Sequence, residues 1–241
     1  MVQMANDIMA MTEGTPEGFK RSVAAQKQVV GYAMALRERK RREPGDDMVT
    51  MLIDASHDGA PMTDNEYIMF VMTTMAAGFE TTHSAIAQSM RRLMQDEQAY
   101  SDFTSLDLDG VNNAIGELLR HVSPAMQMSR MTTEDVVIDG VAIPKGEEVI
   151  MWLTAANRDP ARFEKPHDVD LRRGNVAVAT FGGGGPHFCI GNLLARLELR
   201  VLFEEFDRHD IRLVQDGPLT RMKSMMMNGI SHMPVRLRSA G

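Results

Sequence analysis

Phe181-Gly182-Gly183-Gly184-Gly185-Pro186-His187-Phe188-Cys189-Ile190-Gly191 is the stretch whose reading decides the fold. Four consecutive glycines let backbone, free of Cβ atoms, approach something large and flat in conformations closed to other residues. Behind them Leu193, Leu194, Leu197, Val201 and Leu202 recur at helical spacing, which predicts a helix from Gly191 to about Phe206. Cys189 then sits at a helix start, where free amide N–H groups and the helix dipole favour thiolate over thiol. An anionic sulfur on a loop without bulky side chains can be an axial metal ligand, and a porphyrin iron is the cofactor that needs one sulfur only. A phosphate-binding loop would carry Gly-Lys-Ser/Thr after its glycines, and a dinucleotide fingerprint would place glycine at 187 or 188; His187 and Phe188 fail both tests. A cysteine nucleophile paired with a histidine, and a buried free cysteine beside a flexible loop, are readings these residues leave open.

Composition narrows the field. The 241 residues carry 33 acidic against 26 basic side chains, a formal net charge of −7, so there is no clustered cation footprint for nucleic acid. Hydrophobic residues at 44% and charged residues at 24% are ordinary for a folded globular protein. Cys189 is the only cysteine, which excludes an internal disulfide and a multi-thiolate zinc site and fits a reducing, cytoplasmic setting. Met1 to Asp7 lacks a basic start followed by an apolar core, so no secretion signal is expected. The most apolar stretch, Tyr67 to Phe79, contains two threonines and runs into Glu80; it is too short and polar to span a membrane.

Outward from the glycines, residues 17–42 carry helix-forming runs ending in Arg37-Glu38-Arg39-Lys40-Arg41-Arg42 before Pro44-Gly45, and that basic run reads as a solvated helix end. A short segment near Met48 to Ala55 precedes Ser56 to Pro61, read as a loop. Thr63 with Glu66 makes a capping box opening a helix to about Met94, apolar on both faces until Arg91-Arg92 and so expected to be central and buried. A further helix from about Val111 to Val122 stops before Ser123-Pro124. Val136-Val137-Ile138, Val141-Ala142-Ile143 and Val149-Ile150-Met151-Trp152, with turns at Asp139-Gly140 and Pro144-Lys145-Gly146, predict short strands of a small sheet. Residues 157–180 read as irregular, and Ile211-Arg212-Leu213 and Val235-Arg236-Leu237 as returning strands. The expected fold class is mainly α with a minor β-sheet, in one helix-dominated domain over residues 1–241. The 22 methionines, Met225-Met226-Met227 among them, either line an adaptable apolar pocket or fill the core of a chain poor in aromatics.

Two further constellations carry chemistry. Ala77-Gly78-Phe79-Glu80-Thr81-Thr82 lies mid-helix, where Gly costs about 1 kcal/mol against Ala. The Thr81 hydroxyl can bond back to the carbonyl of Ala77 and widen the helix, opening a groove for water or dioxygen. Glu117-Leu118-Leu119-Arg120 places opposite charges at i and i+3 on one helical face.

The glycine–cysteine segment resembles the heme-binding signature of the cytochrome P-450 family, Phe-Gly-x-Gly-x-His-x-Cys-x-Gly. Here Phe181 precedes Cys189 by one position more than in most members, a spacing shared with some bacterial sterol- and lipid-oxidising ones. Ala77 to Thr82 is similar to the family's Ala-Gly-x-Asp/Glu-Thr, and Glu117 to Arg120 looks like its Glu-x-x-Arg. With only 76 residues before Ala77, the resemblance implies a cytochrome P-450-like fold whose N-terminal half is largely absent. It implies heme b (iron protoporphyrin IX), with Cys189 as the metal ligand and cofactor contacts at Ala77, Gly78, Phe181, Gly182, Gly191 and Ala195. Arg130, through bidentate pairing with carboxylate, and His187 match contacts to the heme propionates. Thr81 and Glu80 match the acid–alcohol pair that delivers protons. Glu117 and Arg120 would belong to a buried network behind the heme loop; Asp168 stands where its third partner is usually Arg or His, which leaves His167 or Arg173 as stand-ins. The implied activity is that of a heme-thiolate monooxygenase. It would insert one oxygen atom of dioxygen into a small apolar substrate, a sterol or lipid by the glycine spacing, with electrons from NAD(P)H through a ferredoxin-like donor. The alternative is a truncated, catalytically silent heme-binding or structural remnant.

Overall fold

The computed structural model describes residues 2–57, 59–174 and 177–238, and the chain divides into two compact units, residues 1–80 and 81–241. In the first unit, α1 (Val2–Met9) leads through a 3-10 turn (Ala10–Glu13) into α2 (Pro16–Arg42). α2 starts there because Thr15 is extended, its hydroxyl accepts the amide of Gly18 at 3.0 Å, and Pro16 takes the first helical position, where its missing N–H costs nothing. The basic end of α2 is only partly solvated. Arg39, Arg41 and Arg42 are exposed, but Arg37 is buried, ion-paired with Asp64, bonded to the carbonyl of Met62 at 2.8 Å and stacked 4.9 Å from the Tyr67 ring centroid. α3 (Met48–Ile53) follows, N-capped by Asp47. The stretch read as a loop closes as a short antiparallel hairpin of β1 (Ser56–His57) and β2 (Ala60–Pro61).

The capping box forms as read: the Thr63 amide donates to Glu66 Oε2 at 2.7 Å and the Glu66 amide to Thr63 Oγ1 at 3.3 Å. It opens α4 (Asp64–Met94). Val71, Met72, Met75 and Ala76 of this helix pack on Ile8, Ala25 and Val29. The expectation of a helix buried throughout is corrected: Met69, Thr73, Thr74 and Ala77 to Phe79 are exposed. An all-round apolar pattern reports what a helix is able to bury, not what lies beside it.

In the second unit α4 continues from Thr81 and is buried at Ser84, Ala85, Ser89, Met90 and Leu93. α5 (Glu97–Thr104), capped by Asp96 on the amide of Ala99, has no counterpart in the sequence reading, because Tyr100 and Phe103 alone give it too little periodicity. α6 (Leu108–Val122) begins one turn earlier than read, since Asp107 caps the amide of Gly110 at 2.8 Å. The predicted single small sheet is corrected to separate two-stranded ribbons. β4 (Val136–Ile138) and β5 (Val141–Ile143) form a hairpin, whereas β6 (Glu148–Trp152) pairs with β3 (Gln127–Met131). β3 contains Ser129 and Arg130 and lacks the alternation that reveals a strand.

α7 (Leu153–Ala156), an irregular run, and a 3-10 turn (Ala179–Phe181) lead to α8 (Asn192–Arg208). α8 sends Leu199 and Phe203 into a core with Leu93, Phe103, Leu118 and Leu119, where the Phe103 and Phe203 rings meet edge to face at 4.9 Å, while Leu193, Leu194, Leu197 and Val201 are exposed. The returning strands are present: β7 (Arg212–Gln215) pairs antiparallel with β10 (Val235–Arg238), Leu213 opposite Leu237, beside the smaller pair β8 (Thr220–Arg221) and β9 (Ile230–His232). Met227 is buried and bridges Ala125, whereas Met225 and Met226 are exposed. The architecture is mainly α with small sheets, and among the described residues no helix is long and apolar enough to cross a membrane.

Candidate functional site

In the second unit α6 carries the Glu117–Arg120 pair, whose side chains are both 0% exposed. Burying two charges is costly unless every lone pair and proton is used. Arg120 donates from Nε to Glu117 Oε2 at 2.7 Å and from Nη2 to Glu117 Oε1 at 2.8 Å, a bidentate fork. Its remaining protons reach the carbonyls of Asn157 and Pro166, each at 2.7 Å, and of Asp168 at 2.9 Å, and its plane lies 5.0 Å from the Phe163 ring centroid. Glu117 Oε1 also accepts the amide of Asp170 at 3.0 Å and Arg173 Nε at 3.1 Å. The third side chain of the network is therefore Arg173; Asp168 contributes its carbonyl. Burial alone would raise the Glu117 pKa, but the bonds from Arg120, the Asp170 amide and Arg173 outweigh it and hold the carboxyl below its usual range.

The 181–191 loop has a defined backbone. Gly182, Gly184 and Gly185 have φ of 93°, 102° and 74°, where L side chains are strained, so conformation dictates glycine at these three positions, whereas Gly183 is not in that region. The Gly182 amide bonds the carbonyl of Ala179 at 2.9 Å, and the Cys189 amide returns to the carbonyl of Phe181 at 3.0 Å, closing the loop on its own stem. Cys189 is half-buried and lies three residues before α8 rather than within its first turn. Its carbonyl accepts both the amide and the Nδ2 of Asn192. Gly191 is the N-cap of α8, and its carbonyl accepts the Ala195 amide at 2.9 Å. Phe181 is covered by the Arg196 guanidinium, 5.1 Å from its ring centroid.

The other sequence-derived residues fall as follows. His187 is exposed within the loop, and Arg130 is exposed on β3, with Nη1 on the carbonyl of Ser129 at 2.7 Å. Ala77, Gly78 and Glu80 lie on the part of α4 in the first unit, and Thr81 opens the part in the second; Glu80 is only 1% exposed while Ala77 and Gly78 are exposed. A cleft of ≈520 Å³ lies elsewhere, among Asp96, Asp102, Glu164, Lys165, Asp170 and Arg172, and none of residues 179–191 line it. Two residues escaped the sequence reading. Asn157, 0% exposed, sits in the stretch read only as irregular, and Arg196 lies on a helix face recognised by its leucines alone.

The sequence model of the cytochrome P-450 family matches residues 97–225. The chain is 34% identical over 221 residues to the methyl-branched lipid omega-hydroxylase of Mycobacterium tuberculosis, covering 90% of this chain and 51% of that protein. It is 33% identical over 217 residues to the steroid C26-monooxygenase of Rhodococcus jostii, covering 90% and 45%. The chain thus spans about half the length of the curated relatives it matches. Among solved structures, Bacillus megaterium CYP109E1 in complex with testosterone superposes with a TM-score of 0.84 at 28% identity, over 96% of this chain and 63% of that one. Mycobacterium marinum CYP268A2 in complex with pseudoionone gives 0.88 at 28% identity, over 96% and 57%. With more than half of its length matched by the family's sequence model, and with that fold shared over nearly all of it, this chain belongs to the cytochrome P-450 family.

Proposed function

We propose that this chain carries the heme-binding and oxygen-handling part of a heme-thiolate monooxygenase acting on apolar lipid or steroid substrates. The observation that carries the reading is the loop closed on itself by the Cys189 amide and the Phe181 carbonyl, which holds the chain's sole cysteine after a run of four glycines. That donor set fits a porphyrin iron, which takes a single protein sulfur. Among the described residues no group of three or more His, Cys, Asp and Glu side chains is placed to hold a metal ion by itself.

In this reading Cys189 Sγ would ligate the iron of heme b, Arg130 would pair with one propionate and His187 would contact the other. Ala77, Gly78, Phe181, Gly182, Gly191 and Ala195 supply the surfaces against it. When bound, the heme supplies activation of dioxygen, so that one oxygen atom enters an apolar C–H bond and the other leaves as water, with electrons drawn from NAD(P)H through a ferredoxin-like donor. The Thr81 hydroxyl and the Glu80 carboxyl hold and pass the protons this consumes. Glu80 is 1% exposed, so its carboxyl is shielded from bulk water. The Glu117, Arg120 and Arg173 network has a structural part in this reading, holding the 157–168 segment through the carbonyls of Asn157, Pro166 and Asp168. Residues 1–241 form the C-terminal part of the family's domain, working in the cytoplasm. The substrate class follows two relatives, a methyl-branched lipid omega-hydroxylase and a steroid C26-monooxygenase.

The test is hemin titration of wild type beside Cys189→Ser, followed by reduction and carbon monoxide. A red-displaced Soret band in wild type and its absence in the serine variant are expected. Identical binding and spectra in the two proteins would reject Cys189 as ligand, and a wild type that takes up no hemin would favour the silent remnant.

A further inference from the structure

We propose that Asn157 is the positioning residue for the Cys189 loop, fixing the stem from which Phe181 offers its carbonyl to the cysteine amide. The inference deepens the heme-thiolate reading and rests on it only for what the loop finally holds. Asn157 follows α7 and is fully buried, so each of its polar atoms needs a partner. Its Oδ1 accepts the Ala179 amide at 2.7 Å, and its Nδ2 donates to Ser123 Oγ at 2.8 Å and to Thr180 Oγ1 at 2.9 Å. Its own carbonyl takes Arg120 Nη1, and its own amide reaches the Leu153 carbonyl at 2.9 Å.

The requirement for an amide side chain follows from where the hydroxyl protons go. Ser123 Oγ spends its proton on the Arg120 carbonyl at 2.9 Å, and Thr180 Oγ1 spends its own on the Leu119 carbonyl at 3.0 Å. Both hydroxyls therefore face Asn157 as acceptors, while the Ala179 amide faces it as a donor. A side chain of this length must supply two donors and one acceptor at once; asparagine does, and the isosteric aspartate does not. Through this one group the C-terminal end of α6 is tied to Ala179 and Thr180. Phe181 is the next residue, and its carbonyl receives Cys189. The sulfur-bearing residue is thereby located by a chain of bonds that starts from the buried Glu117–Arg120 pair.

The experiment reads the heme-free protein first. Amide hydrogen exchange is followed for Ala179, Gly182 and Cys189 in wild type, Asn157→Asp, Thr180→Val and Thr180→Ser, with the β7–β10 ribbon as internal reference. Asn157→Asp and Thr180→Val should accelerate exchange at the three loop amides by at least tenfold with the ribbon unchanged, and Thr180→Ser, which keeps the hydroxyl, should match wild type. Hemin should then bind at least tenfold more weakly to the first two variants than to Thr180→Ser. If Asn157→Asp does not fold, the threonine pair carries the comparison. Loop amides unchanged in Thr180→Val, or accelerated no more than the ribbon, would overturn the positioning role. A wild type lacking the thiolate spectrum would reject the heme assignment instead, while leaving the exchange result to judge Asn157.

Discussion

Arg173 Nε donates to Glu117 Oε1 at 3.1 Å, joining residues 56 positions apart and giving the buried carboxylate a second guanidinium beside Arg120. Neutralising the carboxylate leaves Arg120, whose side chain is wholly buried, without a counter-charge. Glu117→Gln should therefore lower unfolding free energy by about 3–5 kcal/mol, the range for breaking a buried pair from one side. Arg173→Ala should cost less, about 1–3 kcal/mol, because Arg120 still holds both carboxylate oxygens. Urea denaturation of the two variants checks the order; an equal loss would mean that Arg173 contributes as much as the fork itself.

The same region fixes an acid response. His121 is driven down from 6.5 to about 4 by burial, with the charges of Arg158, Arg120 and Arg92 adding to it, and its Nδ1 is buried without a hydrogen-bond partner among the described residues. The folded state thus keeps the imidazole neutral where the unfolded chain binds a proton. Stability is full above pH 6.5 and falls as pH drops from 6.5 to about 4. Glu117 also loses stability on acidification, since its folded pKa is depressed, but only below its ordinary value of 4.5. The window from 6.5 to 4.5 belongs to the histidine. Melting temperature should decline across that window in wild type and stay flat in His121→Gln; a decline of the same size in both would assign it elsewhere.

How much of this could be read beforehand depends on where each signal resides. The Thr63–Glu66 box, the α8 leucines and the Leu213 and Leu237 strands are local patterns, and each produced its element. Glu117 and Arg120 were visible as an i, i+3 pair, but a surface pair and a buried one share that spacing; burial is set by Asn157, Pro166 and Asp168, whose carbonyls receive Arg120 from residues 37 to 48 positions away. Arg173 was one of two stand-ins, and only tertiary contact separates it from His167. β3 and α5 escaped because Ser129, Arg130 and the polar face around Tyr100 dilute periodicity below what a short window detects. Asn157 carries no pattern of any kind. Its meaning lies in three partners contributed by two distant segments.

For the acid–alcohol pair, Thr81→Ala removes the hydroxyl while leaving Cys189 untouched. In heme-loaded protein supplied with electrons, the variant should keep its heme spectrum and divert reducing equivalents to hydrogen peroxide at the expense of hydroxylated product. Thr81→Ser should restore most of the coupling, since it returns the hydroxyl. The ratio of product formed to NAD(P)H consumed is the readout, and an unchanged ratio in Thr81→Ala would remove the residue from proton handling.

The glycine run separates backbone need from simple lack of bulk. A Cβ added at Gly183 or at Gly184 would meet no atom within 4 Å, but Gly184 has φ of 102° and Gly183 is not in the positive-φ region. Gly184→Ala should therefore destabilise the closed loop by about 1–2 kcal/mol through backbone strain alone, whereas Gly183→Ala should stay within about 0.5 kcal/mol. Read as hemin affinity, that is a weakening of roughly five- to thirty-fold against little or none. Because neither methyl meets a neighbour in the protein, a loss at Gly183 as large as at Gly184 would point to the added bulk rather than backbone conformation. Space for the bound group, and not the left-handed turn, would then be what the glycines provide.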